Sequence, residues 1–151
     1  MSATLKETIE SYIWRRNELN YQLTNYQTQK SLASYAQKDY VDLQNTEKRS
    51  LRDKYKDIWD SEALAYSNET GKDYKSVYVD YTELPEYEEE IDISTAIYEE
   101  YLSELTAWQT ELENQIASAS TELQEVNAYI DSFKSMQSST IQEEYDFGLN
   151  G

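Results

Sequence analysis

Turn-forming residues are almost absent from this chain. Its 151 residues include three glycines (Gly71, Gly148, Gly151) and one proline, Pro85. Without such punctuation the backbone has few places to reverse, so the chain must form few and long elements. Two stretches carry apolar residues at steps of three and four, the period of one helix face. In the first, Leu5, Ile9, Tyr12, Leu19, Leu23 and Tyr26 form a stripe with a gap at Arg16. It weakens and changes phase around Lys30–Ala36, as a coiled-coil stutter or a kink would. It resumes through Tyr40, Leu43, Leu51, Tyr55, Ile58 and Ala65.

The second stripe is cleaner. Ile97, Tyr101, Leu105, Trp108, Leu112, Ala119, Leu123, Val126, Ile130 and Phe133 follow it, with one blurred step at Gln115/Ile116. About five heptads of this kind make a coiled-coil seam. Between the stripes, residues 67–73 cluster turn formers around Gly71. Residues 74–84 are rich in Tyr and Val, which favours a short extended piece. The sequence therefore predicts an all-α single domain, 1–151. Helix 1 covers about 3–66, an extended or turn-like tip 67–92, helix 2 about 93–142, and a C-terminal tail 143–151. The architecture is a long antiparallel helical hairpin, a coiled coil open to membership in an oligomeric bundle. With 38% hydrophobic and 28% charged residues and a mean hydropathy of -0.88, the chain is polar for a globule. A thin hairpin tolerates this. The 13% aromatic content and the regular stripes argue against disorder.

Charge divides the chain sharply. Residues 1–66 hold ten Lys/Arg and ten Asp/Glu, whereas 67–151 hold three and twenty, so the whole net charge of -17 lies in the second half. A neutral arm with basic clusters is a fitting neighbour for an acidic one. If helix 1 ends near Asn68 and helix 2 begins near Asp92, facing residues sum to roughly 160. Arg15 and Arg16 then face Glu143, Glu144 and Asp146. Lys48, Arg49, Arg52, Lys54 and Lys56 run along Glu100, Glu104 and Glu111. Trp59 falls near Tyr101, and Leu51 near Trp108. An acidic field disfavours nucleic acid and anionic lipid and favours a basic protein surface.

The chemistry-bearing residue types are thin. There is no Cys and no His, which removes thiolate sites, the commonest general base and the commonest metal ligand. Glu86, Glu88, Glu89, Glu90 and Asp92 offer oxygen ligands but lack EF-hand spacing, and read as a solvated helix start. Glu99, Glu100 and Glu104 lack the His of a carboxylate di-metal bundle. No Gly-x-Ser-x-Gly, Ser-x-x-Lys or phosphate-binding glycine loop occurs. The reading is a non-enzymatic protein with no cofactor. No apolar run approaches the ~18 residues of a membrane span, so no membrane insertion is expected. No secretory signal is visible at Met1–Lys6. The expected location is cytoplasmic, or export without a cleaved signal, or a particle.

The fifteen tyrosines suit a thin bundle, where the ring buries and the hydroxyl stays wet. Tyr74, Tyr78, Tyr81 and Tyr87 gather at the tip. Interface and local packing are weighed evenly for them. Ile13 and Trp14 fall outside the stripe, as do Tyr21, Tyr35 and Val41, and become candidate contacts between copies. Trp59 and Trp108 complete the candidate interface set. In outline the chain resembles the small coiled-coil hairpin proteins of flagellar and type III secretion machinery or of phage particles. That resemblance rests on the arms Leu5–Tyr66 and Ile93–Ile141, the lack of Cys, and polar Gln/Asn/Ser/Thr/Tyr usage. It implies a partner in assembly and assigns no site residues. Function is therefore expected to be structural, with protein as the partner through self-association, a homo-oligomer, or a larger assembly. The alternatives are an acidic chaperone or adaptor for a basic or amphipathic partner, and an acidic nucleic-acid mimic that blocks a DNA-binding protein.

Overall fold

The structure, a computed structural model, describes the backbone of residues 2–150 and the side chains of residues 4–143. Its elements are helix α1, Ser2–Thr70, two 3-10 turns at Tyr74–Ser76 and Tyr81–Glu83, and helix α2, Pro85–Asn150. No strand occurs among the described residues. α1 outlasts the expected end near residue 66 and stops where the sequence supplies a stop. Gly71 takes the left-handed φ of 72°, and its N–H caps the Ser67 carbonyl at 2.8 Å, as a glycine just past a helix end does. α2 starts eight residues before the expected 93. Pro85 is its first residue, where a missing N–H costs nothing. Glu86 and Glu88 occupy its first turn, where the helix dipole favours negative charge. The acidic run thus belongs to the helix rather than to the tip. The backbone expected to be a tail from residue 143 is helical to Asn150.

The extended piece expected over 74–84 is replaced by the two 3-10 turns. Asp73 and Asp80 decide this locally. Each carboxylate accepts the N–H two residues on, from Lys75 at 3.0 Å and from Thr82 at 2.8 Å. Such side-chain bonds compete with strand pairing, and no strand stands alongside to pair with.

The chain divides into two compact units, one of Met1–Leu32 with Gln109–Gly151, the other of Ala33–Trp108. Within each, α1 packs antiparallel against α2. In the first unit the core is Leu19, Ala119, Val126 and Ile130, flanked by Tyr12, Ile13, Leu23 and Leu123. On α2, Leu112, Ile116, Ala119, Leu123, Val126, Ile130 and Phe133 are buried or half-buried at alternating steps of four and three. Ile116 fills the step that the sequence left blurred. Each fully buried Leu or Ile here contributes roughly 1.5–3 kcal/mol by leaving water. Tyr12 stacks on Phe133 at 5.5 Å and meets Tyr129 at the same distance.

In the second unit α2 buries a row other than the expected one. Tyr87, Ile91, Ser94, Tyr98, Leu102 and Leu105 turn inward. Ile97, Tyr101 and Trp108, expected in the seam, are exposed. On α1 the inward row is Ala33, Gln37, Tyr40, Gln44, Lys48, Leu51, Tyr55 and Ile58. The phase change expected at Lys30–Ala36 is not there: Ala33 is fully buried in an unbroken row. The irregular step comes later. Both helices take two successive steps of four, at Tyr40–Gln44–Lys48 and at Ser94–Tyr98–Leu102. The Glu47 carboxylate lies near the Tyr98 hydroxyl, between the two irregular steps, and adds to the rise that burial gives the Tyr98 pKa. Matching insertions let both stripes drift together and keep facing.

The register differs from expectation in both units. Arg15 meets Glu122 (Nη2 to Oε1, 2.6 Å) and Lys30 meets Glu113 at 3.4 Å. Lys54 meets Glu90 at 3.3 Å, and Tyr40 stacks on Tyr101 at 5.4 Å. Facing residues sum to roughly 140. Arg15 is therefore some twenty residues from its expected partner Glu143; the side chains of Glu144 and Asp146 lie outside the described residues. Trp59 and Leu51 are likewise not opposite Tyr101 and Trp108. The connector is the cause. It does not simply turn, but runs back along α1. α2 docks only at Tyr55, where Tyr87 meets it edge-on at 5.4 Å. The last turns of α1 are covered instead by residues 71–84.

Candidate interaction surface

The returning connector is held by aromatics. Tyr74 is buried, its ring 5.6 Å from Trp59, 5.4 Å from Tyr66 and 5.8 Å from Tyr78. Its hydroxyl donates to the Glu62 carboxylate at 2.7 Å. That bond, then burial, then the Glu62 charge push the phenol up to about 12. The Trp59 indole N–H donates to the Tyr78 carbonyl at 3.2 Å. Tyr81 meets Tyr87 edge-on at 5.2 Å, with the Lys56 ammonium 5.6 Å from the Tyr81 ring. Tyr78, Tyr81 and Tyr87 are half-buried. Tyr74 and Tyr78 thus gather at Trp59 of α1, and Tyr81 and Tyr87 form a second group at Tyr55. Among the mostly polar residues that the connector turns outward, two are aliphatic: Val77 and Val79. The Asp80 carboxyl is held low, first by the Thr82 hydroxyl and then by the Thr82 N–H.

One flank of the same unit stays open. Ile93, Ile97, Tyr101 and Trp108 recur at four, four and seven residues on α2, 54%, 47%, 45% and 38% exposed. At 100° per residue they fall within about 80° of one another. Between this row and α1 lies a depression of about 200 Å³, lined by Glu47 and Leu51 of α1 and by Glu90, Ile93, Ser94 and Ile97 of α2. Ser94 is buried, and its hydroxyl has no hydrogen-bond partner. A buried hydroxyl without a partner costs about 1–3 kcal/mol. Burial, and then a hydrogen bond to the nearby carboxylate, raise the pKa of Tyr55 (beside Glu90) and of Tyr98 (beside Glu47).

In the other unit, Trp14 and Tyr21 stand 68% and 74% exposed, one heptad apart on α1. Ile13, placed with them by the sequence, packs against the core instead. Arg15 bridges Glu122 and Glu18, which raise its pKa in that order. A groove of about 810 Å³ runs between Leu5 and Thr8 on α1 and Phe133, Met136 and Ser139 on α2.

Sequence reasoning missed Ser94, Leu51 and Glu47 as members of one place. A buried serine carries no sequence signal, and the flank exists only once the register is known. Its one legible sign is the row Ile97–Tyr101–Trp108, which periodicity alone places in the seam. Among the described residues no group of three or more His, Cys, Asp or Glu could hold a metal ion. Among them, too, no helix is long and apolar enough to cross a membrane.

The fold and these surfaces define a class: an all-α protein of two long helices packed on each other. No protein-family model matches the chain, and no curated protein or solved structure matches it either.

Proposed function

We propose that the protein is a non-enzymatic structural or assembly protein: a coiled-coil hairpin that associates with copies of itself. The observation that carries this reading is the pair Trp14 and Tyr21, large aromatic side chains standing in water on the face of α1 turned from the seam. Rings of that size, exposed and in heptad register, are interface residues by type. A two-helix layer buries little surface per residue, and a further layer of helices removes its outer apolar rows from water.

Light scattering coupled to size exclusion, at several salt concentrations, tests this. A discrete oligomer or filament is expected, and the double variant Trp14→Glu/Tyr21→Glu is expected to run as a monomer with unchanged helicity. A wild-type chain that is monomeric at every concentration and salt rejects the reading.

A further inference from the structure

A second surface calls for a different occupant. The open flank of the unit Ala33–Trp108 presents the row Ile93, Ile97, Tyr101 and Trp108, about 22 Å long at 1.5 Å per residue. That is the length of a four-turn helix. Carboxylates border the row. Glu47 stands on the α1 side, and Glu90, Glu100 and Glu104 share α2 with it. Of the cations nearby, Lys54 is already bound to Glu90 and Lys48 occupies an inward step of α1. The unit as a whole holds eight Lys/Arg against nineteen Asp/Glu. The depression in the flank is lined by the apolar side chains of Leu51, Ile93 and Ile97 together with Glu47 and Glu90. An apolar stem ending in a cation matches that lining: the stem against the apolar side chains, the charge at the carboxylates.

We propose that this flank docks an amphipathic helix of another protein, with Lys or Arg beside its apolar stripe and one basic side chain entering the depression over Ser94. A second copy is the poorer match. Its α2 would set carboxylates against carboxylates. The basic row of its α1, Arg49, Arg52 and Lys56, is interleaved with Asp53 and with Leu51 and Tyr55, which turn into the seam, so it offers no outward apolar residue to cover Ile93 and Ile97. An anionic bilayer is repelled by the same charges. The groove is independent of the Trp14/Tyr21 surface and goes beyond the self-association reading.

The probe is a synthetic 18-residue peptide of leucine and lysine alone, with leucine at i, i+3, i+4 and i+7. A peptide of identical composition, reordered to have no apolar face, is the control. Binding of dye-labelled peptide to the full-length chain is followed by anisotropy. The amphipathic peptide is expected to bind at least tenfold tighter than the control. Ile93→Ser/Ile97→Ser is expected to weaken it at least tenfold, with the thermal melt of the chain unchanged because both positions are exposed. Glu47→Gln/Glu104→Gln is expected to flatten the salt dependence. Trp14→Glu/Tyr21→Glu leaves binding as it was, so this test and that of self-association fail separately. Equal binding of both peptides, or no effect of Ile93→Ser/Ile97→Ser, overturns the proposal. So does loss of self-association in that variant, which would give the flank to a second copy.

Discussion

The two units use the same pair of helices and solve the packing problem differently. In Met1–Leu32 with Gln109–Gly151 the buried residues of the seam are aliphatic, with Leu19, Leu112, Val126 and Ile130 among them, and the aromatic group of Tyr12, Tyr129 and Phe133 sits at its margin. In Ala33–Trp108 it is aromatic and polar. Tyr55 and Tyr74 are buried, Ser94 is buried without a partner, and Gln37, Gln44 and Lys48 occupy inward steps. An aliphatic seam asks only for periodicity. A tyrosine seam also asks for an acceptor at its hydroxyls: Glu62 accepts from Tyr74 at 2.7 Å, and Glu90 and Glu47 lie close enough to Tyr55 and Tyr98 to add to the rise that burial gives their pKa. The acidity of the second unit is therefore partly internal to its packing. Its carboxylates meet phenols as well as solvent.

The contrast can be broken most forcefully at the aliphatic seam. Leu112→Asp puts a carboxylate where Leu112 is fully buried, and a cost of several kcal/mol is expected. Circular dichroism should show a lower melting temperature and reduced helicity; an unchanged melt would mean that Leu112 does not face α1. The aromatic seam is tested by alkali. The Tyr74 phenol has its pKa raised from 10.0 to about 12 in the folded chain, so folding favours the protonated form. The stability it supplies is complete below about pH 10 and is lost as pH rises through about 12. With Trp14→Phe/Trp108→Phe, the fluorescence of Trp59 reports the second unit alone. Its denaturation midpoint should fall between pH 10 and 12, and fall less when Tyr74→Phe is added. At neutral pH that substitution removes a bond to a charged group, roughly 1.5–3 kcal/mol. Equal alkaline loss with and without Tyr74 would discard the Tyr74–Glu62 pair as its source. The smallest effect belongs to Ser94→Ala. Deleting a hydroxyl without a partner should stabilise the second unit, by up to about 1 kcal/mol after discounting the lost contact. A destabilised variant in urea titration would show that the hydroxyl finds a partner in solution.

Much of this was readable in the chain. The scarcity of Gly and Pro and the two helical stripes point to two long helices; the stripes alone place the facing ends near 66 and 93, whereas the helices run to Thr70 and from Pro85. The row from Leu112 to Phe133 was legible because most of its steps, Leu112, Ala119, Leu123, Val126 and Phe133, stand between polar neighbours or small ones; the step at Ile116 is blurred, and Tyr129 beside Ile130 is its one large rival. The row above it was not. At 97/98 and 101/102 two apolar residues stand side by side, Ile97 with Tyr98 and Tyr101 with Leu102. Periodicity alone cannot choose between such neighbours, and the chosen row was the exposed one. That choice hid the flank, the most distinctive surface of the unit. The grouping of Tyr74, Tyr78, Tyr81 and Tyr87 was visible, but not which way they point.

The sequence by itself determined the helices, their ends and the segregation of charge, because propensity, capping residues and composition act locally. Tertiary structure decided the register. Residues 71–84 could cross a short gap or return along α1, and the difference rests on Tyr74 finding Trp59, Tyr66 and Glu62 at once. No local rule contains that convergence. Once it is made, the facing pairs shift by some twenty residues, Arg15 meets Glu122, and Ile93, Ile97 and Tyr101 are left in water.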